Sequence, residues 1–143
     1  MITARLDTSR KLRDKGFRQE TKFKWYDAQG GNEPLTIEEA TDRPWYATGC
    51  ITCAAPTAEE IADQLPDRIE LSNGETTSEL RLQIQRNDKE DYEHKGWHVG
   101  YYGPDLCCYE NDYEKLFTNA YLAEALAECW LWCVEQGHIK ETK

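Results

Sequence analysis

The chain has 143 residues, a net charge of −10, 39% hydrophobic and 11% aromatic residues. That length fits one domain, residues 1–143, with a core of useful size, and that composition excludes an intrinsically disordered chain. No apolar run approaches the roughly 18 residues that a membrane helix needs, and MITARLDTSRKLRDKGF has no signal-peptide core, so the expected location is the cytoplasm.

The charge is uneven. Residues 1–24 carry eight Lys or Arg against Asp7, Asp14 and Glu20, leaving −15 on the rest of the chain. Such a remainder repels phosphate within a Debye length, so direct nucleic-acid binding is not expected. Residues 8–15 predict a first helix, capped by Asp7 or Thr8 and ended by Gly16. Thr21–Tyr26 alternates as a half-buried strand with Phe23 and Trp25 on one face. Asp27–Pro34 has turn composition, and Leu35–Arg43 reads either as a helical turn or as an insertion in a long hairpin. Trp45–Cys53 is a second strand, with Gly49 at a bend or bulge.

Thr57 and Glu60 form a capping box that opens a helix, and Pro66 stops it. Its apolar side is Ala58, Ile61, Ala62 and Leu65. Asp67–Leu71 is a third strand. Asn73-Gly74 turns the chain into Ser78–Gln85, where Leu80, Leu82 and Ile84 face one way. Trp97–Tyr101 follows with Trp97, Val99 and Tyr101 on one side, and Leu106–Tyr109 can pair at an edge. Thr118–Gln136 is the longest helical signal. Leu122, Ala125, Leu126, Cys129 and Cys133 form its stripe, Trp130 and Trp132 flank it, Glu124, Glu128 and Glu135 lie opposite, and Gly137 closes it.

This order predicts an α+β fold. A single antiparallel sheet of four to five strands is expected, with the C-terminal helix and the helix at 57–65 packed on one face.

Four stretches, LRDKGF (12–17), KFKWYD (22–27), CAAPTAEEIADQLP (53–66) and LAEALAECWLWCVEQGHI (122–139), resemble a group of small uncharacterised proteins encoded by phages and prophages of gut-type bacteria. The resemblance implies a compact α+β domain of mobile-element origin. It carries no activity and no site residues.

Six cysteines in a cytoplasmic chain are expected to be reduced thiols or metal ligands. Cys50 and Cys53 have the C-x-x-C spacing of zinc sites, with Cys107, Cys108, His94 and His98 as the remaining candidate ligands. The commoner outcome for such cysteines is burial as small apolar residues. Cys129 and Cys133 fall on the apolar helical stripe and read as core. His94, His98 and His138 read as surface residues. Phosphate-binding, dinucleotide, metalloprotease and nucleophile-elbow motifs are all missing from the sequence, which leaves an enzyme without a signature.

Alternation along the strands makes Tyr26, Tyr46 and Tyr102 project from the face opposite the core, where aromatics can hold a partner. The leading expectation is therefore a non-enzymatic protein–protein interaction module with a protein partner of unknown identity. A small zinc module built on Cys50 and Cys53, and an acidic inhibitor of a host nucleic-acid-binding protein, are the alternatives.

Overall fold

A computed structural model describes residues 2–28, 31–43, 50–72, 77–87, 96–102 and 116–139. The fold is α+β, with helices α1 (Leu6–Asp14), α2 (Ile37–Thr41), α3 (Ala58–Asp63) and α4 (Leu122–Glu135). Its strands are β1 (Lys24–Ala28), β2 (Gly31–Leu35), β3 (Cys50–Ala54), β4 (Arg68–Ser72), β5 (Thr77–Asn87), β6 (Gly96–Tyr102) and β7 (Leu116–Asn119). They form two antiparallel sheets, one ordered β2-β1-β3 and the other β4-β5-β6-β7. The expected antiparallel four-stranded sheet with the C-terminal helix is present, and a separate three-stranded sheet accompanies it.

The apolar stripe of α4 explains the main core. Leu126, Cys129, Cys133 and Val134 pack with Ile69, Leu80, Val99 and Tyr101 of the larger sheet, with Ile61 and Leu65 at α3, and with Leu12 and Phe17 at α1. The Phe17 ring meets Trp130 edge-on, at 5.1 Å and 74°. At the helix end Gly137 adopts φ +81°, and His138 N–H returns to the Cys133 carbonyl at 2.8 Å, as a left-handed glycine stop requires.

The smaller sheet is covered on both faces. Trp25 lies on one side, where its indole N–H donates to Ser9 Oγ of α1 at 3.0 Å. Tyr26 lies on the other, in a cluster with Leu35 and Ala40. Residues 31–34, which read as turn by composition, form a strand with Leu35 instead. β2 is an edge strand, so Pro34 costs no ladder bond to a further neighbour. Thr36 and Glu39 form a reciprocal capping box, and this resolves 35–43 as a short helix after a hairpin.

Three expected surface positions are buried, and each has a tertiary cause. Tyr26, expected to project outward, is 3% exposed because α2 brings Ala40 over it. Glu124, expected on the solvent face of α4, is 6% exposed because the start of α1 lies against it. His98, expected on the open face of its strand, is 8% exposed between neighbours on β5 and β7.

Candidate functional site: a groove beside the N-terminal segment

Residues preceding α1 run antiparallel to the residues that open α3. Thr3 pairs with Thr57, and Ala4 N–H donates to the Pro56 carbonyl at 2.9 Å. This pairing buries Thr3 and Ala4 and leaves Ile2 67% exposed. The capping box of α3 does a second job here. Glu60 Oε1 accepts from Thr57 N–H at 2.9 Å, while Oε2 accepts from Lys22 N–H at 3.0 Å. One carboxylate thus ties the start of α3 to the residue before Phe23.

Between these pieces lies a groove of about 530 Å³. Ile2, Phe23, Ala58, Leu122 and Ala123 supply its apolar surface, and Lys22, Thr57, Glu59 and Glu60 its polar surroundings. Lys22 Nζ lies 5.6 Å from the centre of the Phe23 ring, a cation–π distance. Its apolar floor with a few polar groups at the edge suits it to hold an apolar group.

The groove's α4 wall is fixed by a buried clip. Glu124 Oε1 accepts from the Thr8 hydroxyl at 2.8 Å, and Oε2 accepts from Arg5 N–H at 3.2 Å. Arg5 Nε stands 3.8 Å from the same carboxylate, and its guanidinium lies over the Tyr121 ring. α1 has no cap of its own at Arg5, so a side chain from α4 meets an N–H that the helix start leaves unpaired. One turn on, burial and then the nearby Glu124 charge push the Glu128 carboxyl above its usual range, while Asn119 and Lys11 oppose the shift.

A second polar system lies inside the core. Cys133 S–H donates to Tyr101 Oη at 3.7 Å, and Tyr101 O–H donates to the Pro66 carbonyl at 2.7 Å. Hydrogen bonding to Cys133 and burial raise the Cys129 thiol well above its ordinary value, and burial does the same for the Tyr101 phenol. The same bond with Cys129 pulls the Cys133 thiol below its ordinary value against the opposing effect of burial; all three side chains are completely enclosed, as packing residues are.

The zinc candidates Cys50 and Cys53 lie on β3, where a bulge changes their relation. Trp25 pairs with Cys53 and Tyr26 with Ile51, so Thr52 falls out of register. Cys50 then stands opposite Asp27, two residues from Trp25. Both cysteines therefore look to the same face of the sheet. Cys50 is exposed and Cys53 is buried against Trp25 and Ala55. Among the described residues no three His, Cys, Asp or Glu side chains gather as a metal site. His94, Cys107 and Cys108 lie outside the described residues, as does Tyr46. Tyr102 pairs with Arg81 across β5 and β6, and only its backbone is described. Tyr26, Tyr46 and Tyr102 are thus not shown as one aromatic surface.

Sequence reading found Thr57 and Glu60 as a cap, and Leu122 as part of a helical stripe. It did not find the groove, because Ile2 and Phe23 reach it through pairing of distant segments. The one local hint was Glu60, whose second oxygen was free to bind elsewhere. Compared with protein-family models, with curated proteins and with solved structures, the chain matches none. No helix is long and apolar enough to cross a membrane among the described residues.

Proposed function

We propose that the protein is a non-enzymatic accessory module of phage or prophage origin that works by holding a protein partner. The origin in this reading rests on the resemblance of the four segments named above. The binding role rests on the groove: its wall residue Ile2 is 67% exposed, beside Phe23 and Leu122, with charged side chains around them. Exposed apolar surface with a polar rim is the usual composition of a protein-docking patch. The rigid frame around it, from the Glu60 and Glu124 carboxylates, limits the ordering cost of binding.

Comparative affinity capture with the wild-type chain and Ile2→Asp tests this reading. Ile2 lies outside the core, so circular dichroism of the variant should be unchanged. A host or phage protein retained by the wild type and lost with Ile2→Asp supports the module. Identical retained proteins for both chains would remove the groove from the account.

A further inference from the structure

The charge around the groove selects a kind of partner, and this inference rests on the protein-binding reading above. Glu59 sits on the rim, and Asp63 follows it by four residues on the same exposed side of α3. Arg5 is committed to the buried Glu124, and Lys22 lies over the Phe23 ring. Among the described residues, Glu59 and Glu60 line the groove against Lys22, and the exposed Asp63 adds a carboxylate one turn beyond Glu59. The chain as a whole carries −10, and at long range that charge favours a cationic partner.

The shape narrows the choice further. A small apolar ligand would remain wet on the Ile2 side, because that wall residue is two-thirds exposed. A side chain borne on a peptide covers Ile2 with its own backbone. We propose that the groove takes a short basic segment of a protein partner. One apolar side chain enters between Ile2, Phe23 and Leu122, and a nearby Lys or Arg lies along Glu59 and Asp63. An acidic segment meets like charge on that rim, and nucleic-acid phosphate does too.

The test uses the full chain and three labelled peptides of about a dozen residues, long enough to cross the groove. One has a leucine anchor flanked by lysines, one the same anchor flanked by glutamates, and one lysines around a serine. Fluorescence anisotropy gives Kd, and amide NMR shifts at Ile2, Ala58 and Ala123 locate binding. The lysine-flanked anchor should bind about fivefold more tightly than the glutamate-flanked one at low salt, with the gap closing as salt rises. Glu59→Lys with Asp63→Lys should invert the preference. Equal binding of both anchored peptides in the groove overturns the charge rule while leaving a protein-binding groove. Equal binding of the serine peptide overturns the anchor. If neither anchored peptide shifts the groove amides, this inference fails, and the module is judged separately by the Ile2→Asp capture.

Discussion

The Thr8 hydroxyl and the Glu124 carboxylate meet at 2.8 Å across 116 positions of sequence. The same carboxylate takes the Arg5 N–H, so α4 caps α1 from outside. Glu124→Ala should cost about 1–3 kcal/mol, because a half-buried hydroxyl and a helix-end N–H lose their acceptor together. Urea unfolding at pH 7 measures it. Glu135→Ala, on the exposed end of the same helix, should change stability by about 0.5 kcal/mol or less. Equal effects at the two positions would show that Glu124 is not a clip.

Tyr101 should couple stability to alkaline pH. Its phenol, ordinarily near 10.0, is pushed up first by burial and then by Cys133, while Cys129 is pushed above its ordinary 9.0 by hydrogen bonding to Cys133 and by burial. In the window above those ordinary values the unfolded chain releases protons that the folded chain keeps. The phenol's contribution is therefore full below about pH 10 and is lost as pH rises past it, while in the thiol pair the rise at Cys129 is opposed by the lowering at Cys133. Urea midpoints across pH 7 to 11 read the slope. Tyr101→Phe should lose about 1 kcal/mol at pH 7 with the Pro66 hydrogen bond, and should flatten the decline above pH 10. A midpoint independent of pH to 11 would contradict the enclosed phenol.

How far the sequence disclosed this molecule depends on which contacts are local. The α4 stripe, the Thr57–Glu60 box and the Leu80–Ile84 alternation are local, and each produced the expected element. Even there the ends differ: Leu80 is buried while Ile84 is 39% exposed, because periodicity gives a face and not the extent of its cover. Tyr26, His98 and Glu124 depart from expectation because strand alternation and helix periodicity both assume one dry face, whereas α2, the flanking strands and the start of α1 cover the second. The groove was hidden for the same reason. Ile2 carries no periodic signal, and its neighbours come from residues 22–23, 57–60 and 122–123.

Thiol labelling should follow burial and not the C-x-x-C pattern. Cys50 is exposed, whereas Cys53, Cys129 and Cys133 are buried. Burial raises the Cys53 thiol against the opposing pull of Arg13 and Arg10, so its thiolate is scarce as well as shielded. In maleimide labelling followed by peptide mapping, Cys50 should react at least about tenfold faster than Cys53. Comparable rates would mean that the two thiols share an open site, and would favour the zinc reading. Elemental analysis of the same sample would then show whether metal is bound.

Two glycines should separate backbone strain from collision. Gly96 opens β6 at φ +113°, and a Cβ there would lie 2.6 Å from the Asn119 carbonyl oxygen. Gly137 ends α4 at φ +81°, with nothing within 4 Å of the same added atom. Gly137→Ala should cost about 1 kcal/mol, the left-handed penalty alone. Gly96→Ala carries a comparable penalty and must also push β7 away, since its clash is with backbone and no flexible side chain can yield. A loss of about 3 kcal/mol is expected. Thermal melts rank the two. The β6–β7 pairing also carries Phe117 against Trp132 of α4, so Gly96→Ala should perturb the tryptophan fluorescence that Gly137→Ala leaves nearly unchanged. If Gly137→Ala proved the more damaging, the close approach of Asn119 to Gly96 would have to be wrong.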